Sequence, residues 1–404
     1  MLERPIINTS VQVLGKVMTV FCGIITTSIL VKYLGVWSYG NYTLIVSVFL
    51  LIDVVADFGT RIIGVRELSK MPRDKKSEMF NQIWWLRIIM MSIAFLIGLN
   101  LMMFLPSIKN LKIEAGIVLL ICWLTMMAGS MEILFWEKMR MEMKVIGEVL
   151  YPIIILIGLL VLNNKLNLIL VFEIVFGARV LSLVPALIIN RKELLSLKLR
   201  ANKKVLWGLI KLSWPMGLYL LIFTSYDRAI DSLFIERYWG ARAVGQYGLG
   251  YKIYSALLQP AYFFVSSIFP LLSKSNKDRR VLIKKARMLM VVGGAMMMGL
   301  VYLTAPLMIR IISSNNAEFG ISITVLRVLS MAMFFSYLGH LWGFNMIAEG
   351  KQKRILMIGI INIVLYVIAS YLLVPRYGIL GSAGITVGAE ALSFGLMVMW
   401  KRKG

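Results

Sequence analysis

Charge is what this sequence holds least of for its size. Only 16% of its 404 residues are Asp, Glu, Lys or Arg and 59% are hydrophobic, against roughly 25% and roughly 45–50% in soluble domains. A mean hydropathy of +0.81 excludes an ordinary water-soluble chain. Acidic residues are the scarcest, 20 against 44 basic, giving a net charge of +24. That excess sits in short segments between apolar runs, as in the loops of membrane proteins, so it implies no nucleic acid.

Cysteine is nearly absent. Cys22 and Cys122 each lie inside an apolar run, which excludes a disulfide scaffold. His340 is the only histidine; this excludes most His-based catalysis and leaves no ligand set for a metal. It reads as a packing residue. The chain has no GxxxxGK[ST], no GxSxG and no HExxH, and so no P-loop, nucleophile elbow or zincin helix. No cofactor, no metal and no catalytic residue is expected.

What the sequence does contain is long apolar runs, each at or above the ~18–20 residues that cross a hydrocarbon core. We read twelve spans, at about 11–32, 41–63, 83–105, 114–135, 146–163, 167–190, 208–235, 244–272, 287–312, 320–347, 355–374 and 380–400. Alternate connections collect roughly 28 Lys and Arg against roughly 7 in the opposite set. The expectation is an all-α, multi-pass protein of the cytoplasmic (inner) membrane with both termini cytoplasmic. The first span lacks a small-residue cleavage site and carries Gln12 and Lys16, so it reads as a retained helix. The basic segment SKSNKDRRVLIKKAR (273–287) is amphipathic and reads as a topology-setting loop.

The chain is duplicated. LVKYLGVWSYGNY ends at Tyr42 and FIERYWGARAVGQY at Tyr247. Gly35, Gly40 and Tyr42 stand opposite Gly240, Gly245 and Tyr247, each at an offset of 205. Two halves of six spans, 1–206 with a cytoplasmic linker at its end and 207–404, cross in the same direction. This predicts two six-helix lobes around a central cavity, related by an axis along the membrane normal.

Ionisable residues at bilayer depth are costly, roughly 2.5–3.5 kcal/mol at a helix centre, and mark pathways or buried pairs. Lys16, Asp53, Asp57, Glu173, Arg179, Asp227, Arg228, Asp231, Lys252, Arg327 and Glu390 all lie in predicted spans. Asp227 and Asp231 share a helical face, and Arg228 and Asp231 are spaced to pair. Such groups form either a packing network or the wall of a polar cavity. In the second reading Lys16, Arg179, Arg228, Lys252 and Arg327 attract an anion. Asp53, Asp57, Asp227, Asp231 and Glu390 then orient them or carry protons. Asp53, nearest the midplane, is the preferred proton site; the competing reading pairs Asp57 with Arg61 and bonds Asp53 to Ser or Lys16. Pro215 in Trp214-Pro215-Met216-Gly217 predicts a kink or hinge in the seventh span.

Several motifs carry a resemblance. Leu34-Gly35, Tyr39-Gly40-x-Tyr42, Asp57-x-Gly59 and Arg66-Glu67-Leu68 resemble the opening spans of polysaccharide-biosynthesis exporters of the O-antigen flippase type. Tyr226-Asp227-Arg228, Gly245-x-Tyr247 and Pro270-x-Leu272-Ser273 are similar to that family's second half. Val374-Pro375-x-Tyr377-Gly378-Ile379-x-Gly381-Ser382-Ala383 resembles its final hairpin. The resemblance implies the fold of the multidrug/oligosaccharidyl-lipid/polysaccharide exporter superfamily. It also implies flipping of an undecaprenyl-pyrophosphate-linked oligosaccharide, an O-antigen or capsule/exopolysaccharide repeat unit, by alternating access. Membrane lipid, a polysaccharide polymerase and chain-length proteins would be its partners. The basic set above would meet the pyrophosphate, and Tyr226, Gln259, Tyr262 and Asn345 would meet sugar hydroxyls. Two other readings stay open: a multidrug or small-cation exporter of the same superfamily, and a membrane enzyme of envelope sugar metabolism.

Overall fold

In a bilayer every backbone N–H and C=O must be satisfied within the protein, and a long apolar run does this as a helix. The computed structural model describes residues 3–138, 140–198, 200–225, 229–272 and 277–402. It is 92% helical, and among the described residues no strand occurs. In chain order the helices are α1 (Glu3–Asp57), α2 (Thr60–Lys70), α3 (Lys76–Phe104), α4 (Lys112–Glu137), α5 (Met141–Val161), α6 (Leu168–Ile189) and α7 (Arg191–Leu195). They continue with α8 (Lys203–Thr224), α9 (Ile230–Leu257), α10 (Gln259–Leu272), α11 (Lys277–Ile312), α12 (Gly320–Ala348) and α13 (Gln352–Arg402). Among the described residues, nine segments are long and apolar enough to cross a membrane.

Two of those nine, Leu14–Lys70 with 57 residues and Gln352–Trp400 with 49, would extend far beyond a core ~30 Å thick at ~1.5 Å per residue. Each is broken at a glycine. Gly35 has φ 71° and ψ 176°, and Gly378 has φ 58° and ψ −140°. Non-glycine residues are essentially excluded from this part of φ/ψ space, so glycine lets the chain reverse within one residue. Gly240 breaks α9 at φ 76° and ψ 176°, nearly the same values as its equivalent, Gly35. The gap between the last two predicted spans, 355–374 and 380–400, is reduced to a break at Gly378, with Pro375 inside the helix. Between the predicted spans 146–163 and 167–190 the chain makes a 3-10 turn at Asn163–Lys165.

The chain forms two compact units. The first comprises Met1–Ile29 with Ile45–Ser225, and the second Leu30–Leu44 with Tyr226–Gly404. The units follow contacts, and the elbow around Gly35 goes with the second. In the first unit Ile63, Leu68, Phe80, Ile83, Leu134 and Leu206 bury a core shared by α2, α3, α4 and α8. In the second, Ala261, Val265, Met290, Tyr337 and Leu341 join α10, α11 and α12.

The elbows at Gly35 and Gly240, both in the second unit, pack on each other with local two-fold symmetry. A Cβ on Gly40 would lie 1.8 Å from the Ala241 carbonyl oxygen, and one on Gly245 2.3 Å from the Val36 carbonyl oxygen. Val36 and Ala241 are themselves 205 residues apart, so each copy offers the same glycine and the same carbonyl to the other. This is the pattern of an isologous contact. Gly248 extends it, with a Cβ there falling 2.7 Å from Thr43 Cγ2, again at an offset of 205. Only hydrogen side chains permit this approach.

Candidate functional site

The first unit carries its buried charge where the second predicted span breaks. α1 stops at Asp57, α2 starts at Thr60, and Phe58 and Gly59 between them have φ 37° and 73°. A positive φ at phenylalanine is strained. Phe58 is held by packing: its ring meets Trp214 edge-on at 5.7 Å, and a Cβ on Gly217 would lie 2.5 Å from Phe58 Cγ. The Trp214-Pro215-Met216-Gly217 stretch therefore receives this break, with Pro215 inside α8.

Arg87 of α3 spans the same break. Its Nη1 donates to Asp57 Oδ1 at 2.9 Å and to Thr60 Oγ1 at 2.9 Å. Its Nε donates to Ser130 Oγ at 2.7 Å and its Nη2 to the Met126 carbonyl at 3.2 Å. With its side chain 2% exposed, Arg87 is a desolvated cation whose donors are used, the condition under which a buried ion pair holds. Arg61 stands outside this knot, 3.8 Å from Asp57 and 3.2 Å from Glu132, so the Asp57–Arg61 pairing anticipated from spacing is present beside a stronger partner. Sequence reading missed Arg87, because it lies only a few residues inside the third predicted span and resembles a boundary charge.

Asp53 lies one turn before Asp57. Its Oδ1 is buried without a hydrogen-bond partner; the bonds to Ser or Lys16 considered from sequence do not supply one. Arg179, mid-way along α6, stacks its guanidinium 3.8 Å from the centroid of Tyr151, and its Nε is likewise buried and unbonded. Lys16 is exposed.

The second unit concentrates polarity around Asp231, which is fully buried. Tyr247 donates to its Oδ2 at 2.5 Å, Tyr366 donates to its Oδ1 at 2.7 Å, and the Ser382 hydroxyl donates to Oδ1 as well. Thr386 completes the group, with its Oγ1 3.1 Å from the Tyr366 hydroxyl. Hydroxyls from α9 and from both parts of α13 thus converge on one carboxylate, a charge-assisted arrangement well suited to hold an anion in a dry place. The sequence marked Asp231, Tyr247 and Ser382 separately; nothing in it joined them to Tyr366 and Thr386.

The remaining candidates are dispersed. Arg327 donates to the Tyr302 carbonyl at 3.3 Å and lies 5.2 Å from that ring's centroid. Lys252 and Glu390 are half-buried. Glu173 is exposed. Tyr226, Asp227 and Arg228 lie outside the described residues. His340 bonds the Ser336 carbonyl through Nδ1 at 2.6 Å and meets Tyr262 edge-on, a packing role. Among the described residues no group of His, Cys, Asp and Glu could hold a metal.

Residues 6–276 match the family model described as polysaccharide biosynthesis protein, about two-thirds of the chain. The chain belongs to the polysaccharide biosynthesis protein family. No curated protein matches it. Among solved structures it is similar to the lipid II flippase MurJ in an inward closed conformation, with a TM-score of 0.74 and 17% identity over 98% of this chain and 87% of that one. It is equally similar in shape to an inward-facing multidrug resistance MATE family transporter of the MOP superfamily, with a TM-score of 0.74 and 15% identity over 94% and 93% of the two chains. The MATE multidrug transporter DinF-BH gives 0.64 at 15% identity over 98% and 94%. At these identities the likeness is one of fold. This family member is a multi-pass membrane protein with the fold of flippases and transporters.

Proposed function

We propose that the protein flips a lipid-linked oligosaccharide across the cytoplasmic membrane by alternating access, the lipid being undecaprenyl pyrophosphate and the sugar an O-antigen or capsule/exopolysaccharide repeat. One observation carries this: a polysaccharide-biosynthesis match over residues 6–276 lies on a fold shared with a lipid II flippase. In this reading Arg179 and Lys252 meet phosphate, as do Lys16, Arg228 and Arg327. Asp53, whose Oδ1 is buried and unbonded, takes up the proton that drives the cycle, and Asp231, held by three hydroxyls, supplies a fixed negative charge in the second unit. The oligosaccharide and its polyprenyl tail are the partners, with a polymerase acting afterwards; the protein itself makes and breaks no covalent bond.

The test is reconstitution in proteoliposomes with a labelled polyprenyl-pyrophosphate oligosaccharide and an imposed pH gradient. Arg179→Ala and Lys252→Ala should each stop flipping while the protein still inserts. Asp53→Asn should remove the dependence on the gradient. Unchanged flipping in all three variants refutes the reading. Export of an organic cation is the second reading, favoured by the equal likeness to a multidrug MATE transporter. Transport of a fluorescent lipophilic cation by the same vesicles without oligosaccharide flipping would establish it instead.

A further inference from the structure

Segment 191–204, between α6 and the body of α8, carries Arg191, Lys192, Lys198, Arg200, Lys203 and Lys204. All six are exposed. Of the other basic residues of the first unit, Lys109, Lys112 and Lys165 form no such cluster, and eight lie within 4 Å of a carboxylate: Arg61, Arg66, Lys70, Lys76, Arg87, Lys138, Arg140 and Lys144. Among the described residues none of the six does so. The one acid of the segment, Glu193, is taken by Lys138.

The segment is also fastened down. Asn81 and Gln82 of α3, about 5% and 6% exposed, use their amides as a strand would use its backbone. Asn81 accepts from the Lys198 N–H at 2.9 Å and donates to the Arg200 carbonyl at 2.9 Å. Gln82 accepts from the Asn202 N–H at 2.8 Å and donates to the Arg200 carbonyl at 3.2 Å. Trp85 donates to the Lys198 carbonyl at 2.9 Å. A loop kept only for its positive charge needs no such clamp, since the topology rule counts residues and not their placement. The clamp fixes the backbone at Lys198, Arg200 and Asn202, between Arg191 and Lys192 of α7 and Lys203 and Lys204 of α8. Lys203 and Lys204 moreover occupy the first turn of α8, which has no acidic residue and where the helix dipole disfavours cations. Both features cost free energy in isolation, and a fixed layer of negative charge would reverse both.

Apolar side chains flank the cations. Leu195 is 85% exposed and Trp207 59%, and Trp is the residue that settles at the headgroup boundary. We propose that 191–204 is a strap that docks onto the anionic phospholipid headgroups of the leaflet beside it, with the lipid phosphates supplying the counter-charge that the protein withholds. Basic clusters next to a transmembrane helix bind acidic lipid in this way.

The test uses the full-length chain in neutral detergent, titrated with phosphatidylglycerol or phosphatidylcholine. Thermal unfolding and native mass spectrometry of retained lipid are the readouts. Wild type should retain phosphatidylglycerol selectively, and the selectivity should collapse between ~0.1 and ~1 M salt. Replacing Lys198, Arg200, Lys203 and Lys204 together by Gln should weaken that retention at least ~100-fold, at roughly fivefold per charge discounted for overlap. Neutralising Lys284, Lys285, Lys351 and Lys353 of the second unit should change it little. Equal loss in both variants, or selectivity indifferent to salt, overturns the proposal. Preference for a polyprenyl pyrophosphate over phosphatidylglycerol overturns it too, by assigning the strap to substrate. If the four-fold variant does not fold, the salt titration of wild type decides.

Discussion

Replacing Asp231 by Asn tests the hydroxyl cage most directly. The carboxylate takes two hydrogen bonds on Oδ1, from Tyr366 and Ser382, and one on Oδ2, from Tyr247. An amide can keep the first two through its oxygen, without their charge. On the other side it presents an NH2 to the Tyr247 hydroxyl, which must then turn its own proton toward Thr386 Oγ1, 3.4 Å away. One charge-assisted bond is lost and two are weakened, at about 1.5–3 kcal/mol for a bond to a charged group. The neutral amide is cheaper to bury, which offsets part of this. The net cost should be about 1–3 kcal/mol. Asp231→Leu is the harsher change, because it strands three buried hydroxyls at about 1–3 kcal/mol each; mutual bonding with Thr386 recovers a share, leaving about 3–5 kcal/mol. Thermal unfolding in detergent should rank wild type above Asn above Leu. Flipping in proteoliposomes should fall sharply already in Asp231→Asn, since the negative charge and not the fold is what that variant removes. A Leu variant as stable as the Asn variant would show that the cage holds nothing together, and an Asn variant flipping at the wild-type rate would remove the carboxylate from the cycle.

Arg87→Met should cost up to about 3–5 kcal/mol, since it leaves Asp57 with its weaker partner Arg61, 3.8 Å away, while Arg87→Met with Asp57→Leu should cost less than the sum of the single changes, as read from unfolding midpoints in a double-mutant cycle. Gly245→Ala should destabilise by about 1–3 kcal/mol because its Cβ meets backbone, the Val36 carbonyl, which cannot step aside. Gly240→Ala has open space around it and should cost a similar amount through φ alone; equal stability of both variants with wild type would refute the elbow packing. Burial pushes the Glu193 carboxyl up, but the Lys138 hydrogen bond and charge outweigh it, so its pKa lies below the ordinary range. A depressed carboxylate contributes stability above its unfolded pKa and loses it as the pH falls through the folded one. The Lys138–Glu193 contribution should therefore be present at neutral pH and be lost as the pH falls through and below the ordinary glutamate range, and Lys138→Gln should unfold with a flatter acid limb.

How much could be read in advance differs from residue to residue. Apolar runs of bilayer length can satisfy their backbones only as helices, so the all-α membrane class follows from composition without any contact being known. The duplication was legible because glycine at an elbow is irreplaceable: Gly35 and Gly240 share a backbone conformation open to no other residue, and Gly40 and Gly245 touch where no side chain fits. Asp53 and Asp231 were visible because a charge inside an apolar run is conspicuous by itself. Arg87 was not, since four residues from a predicted span end a cation looks like ordinary interface. Only the fold revealed that it bridges Asp57 and Thr60 across a broken helix. Likewise Tyr366 and Thr386 do not stand out in their own helices; they matter because α13 lies beside α9, 135 residues away from Asp231 in the case of Tyr366. Local chemistry fixes which segments are helices and where they must break, because those depend on neighbours along the chain. Which buried charge meets which partner depends on helices distant in sequence, and packing alone decides that.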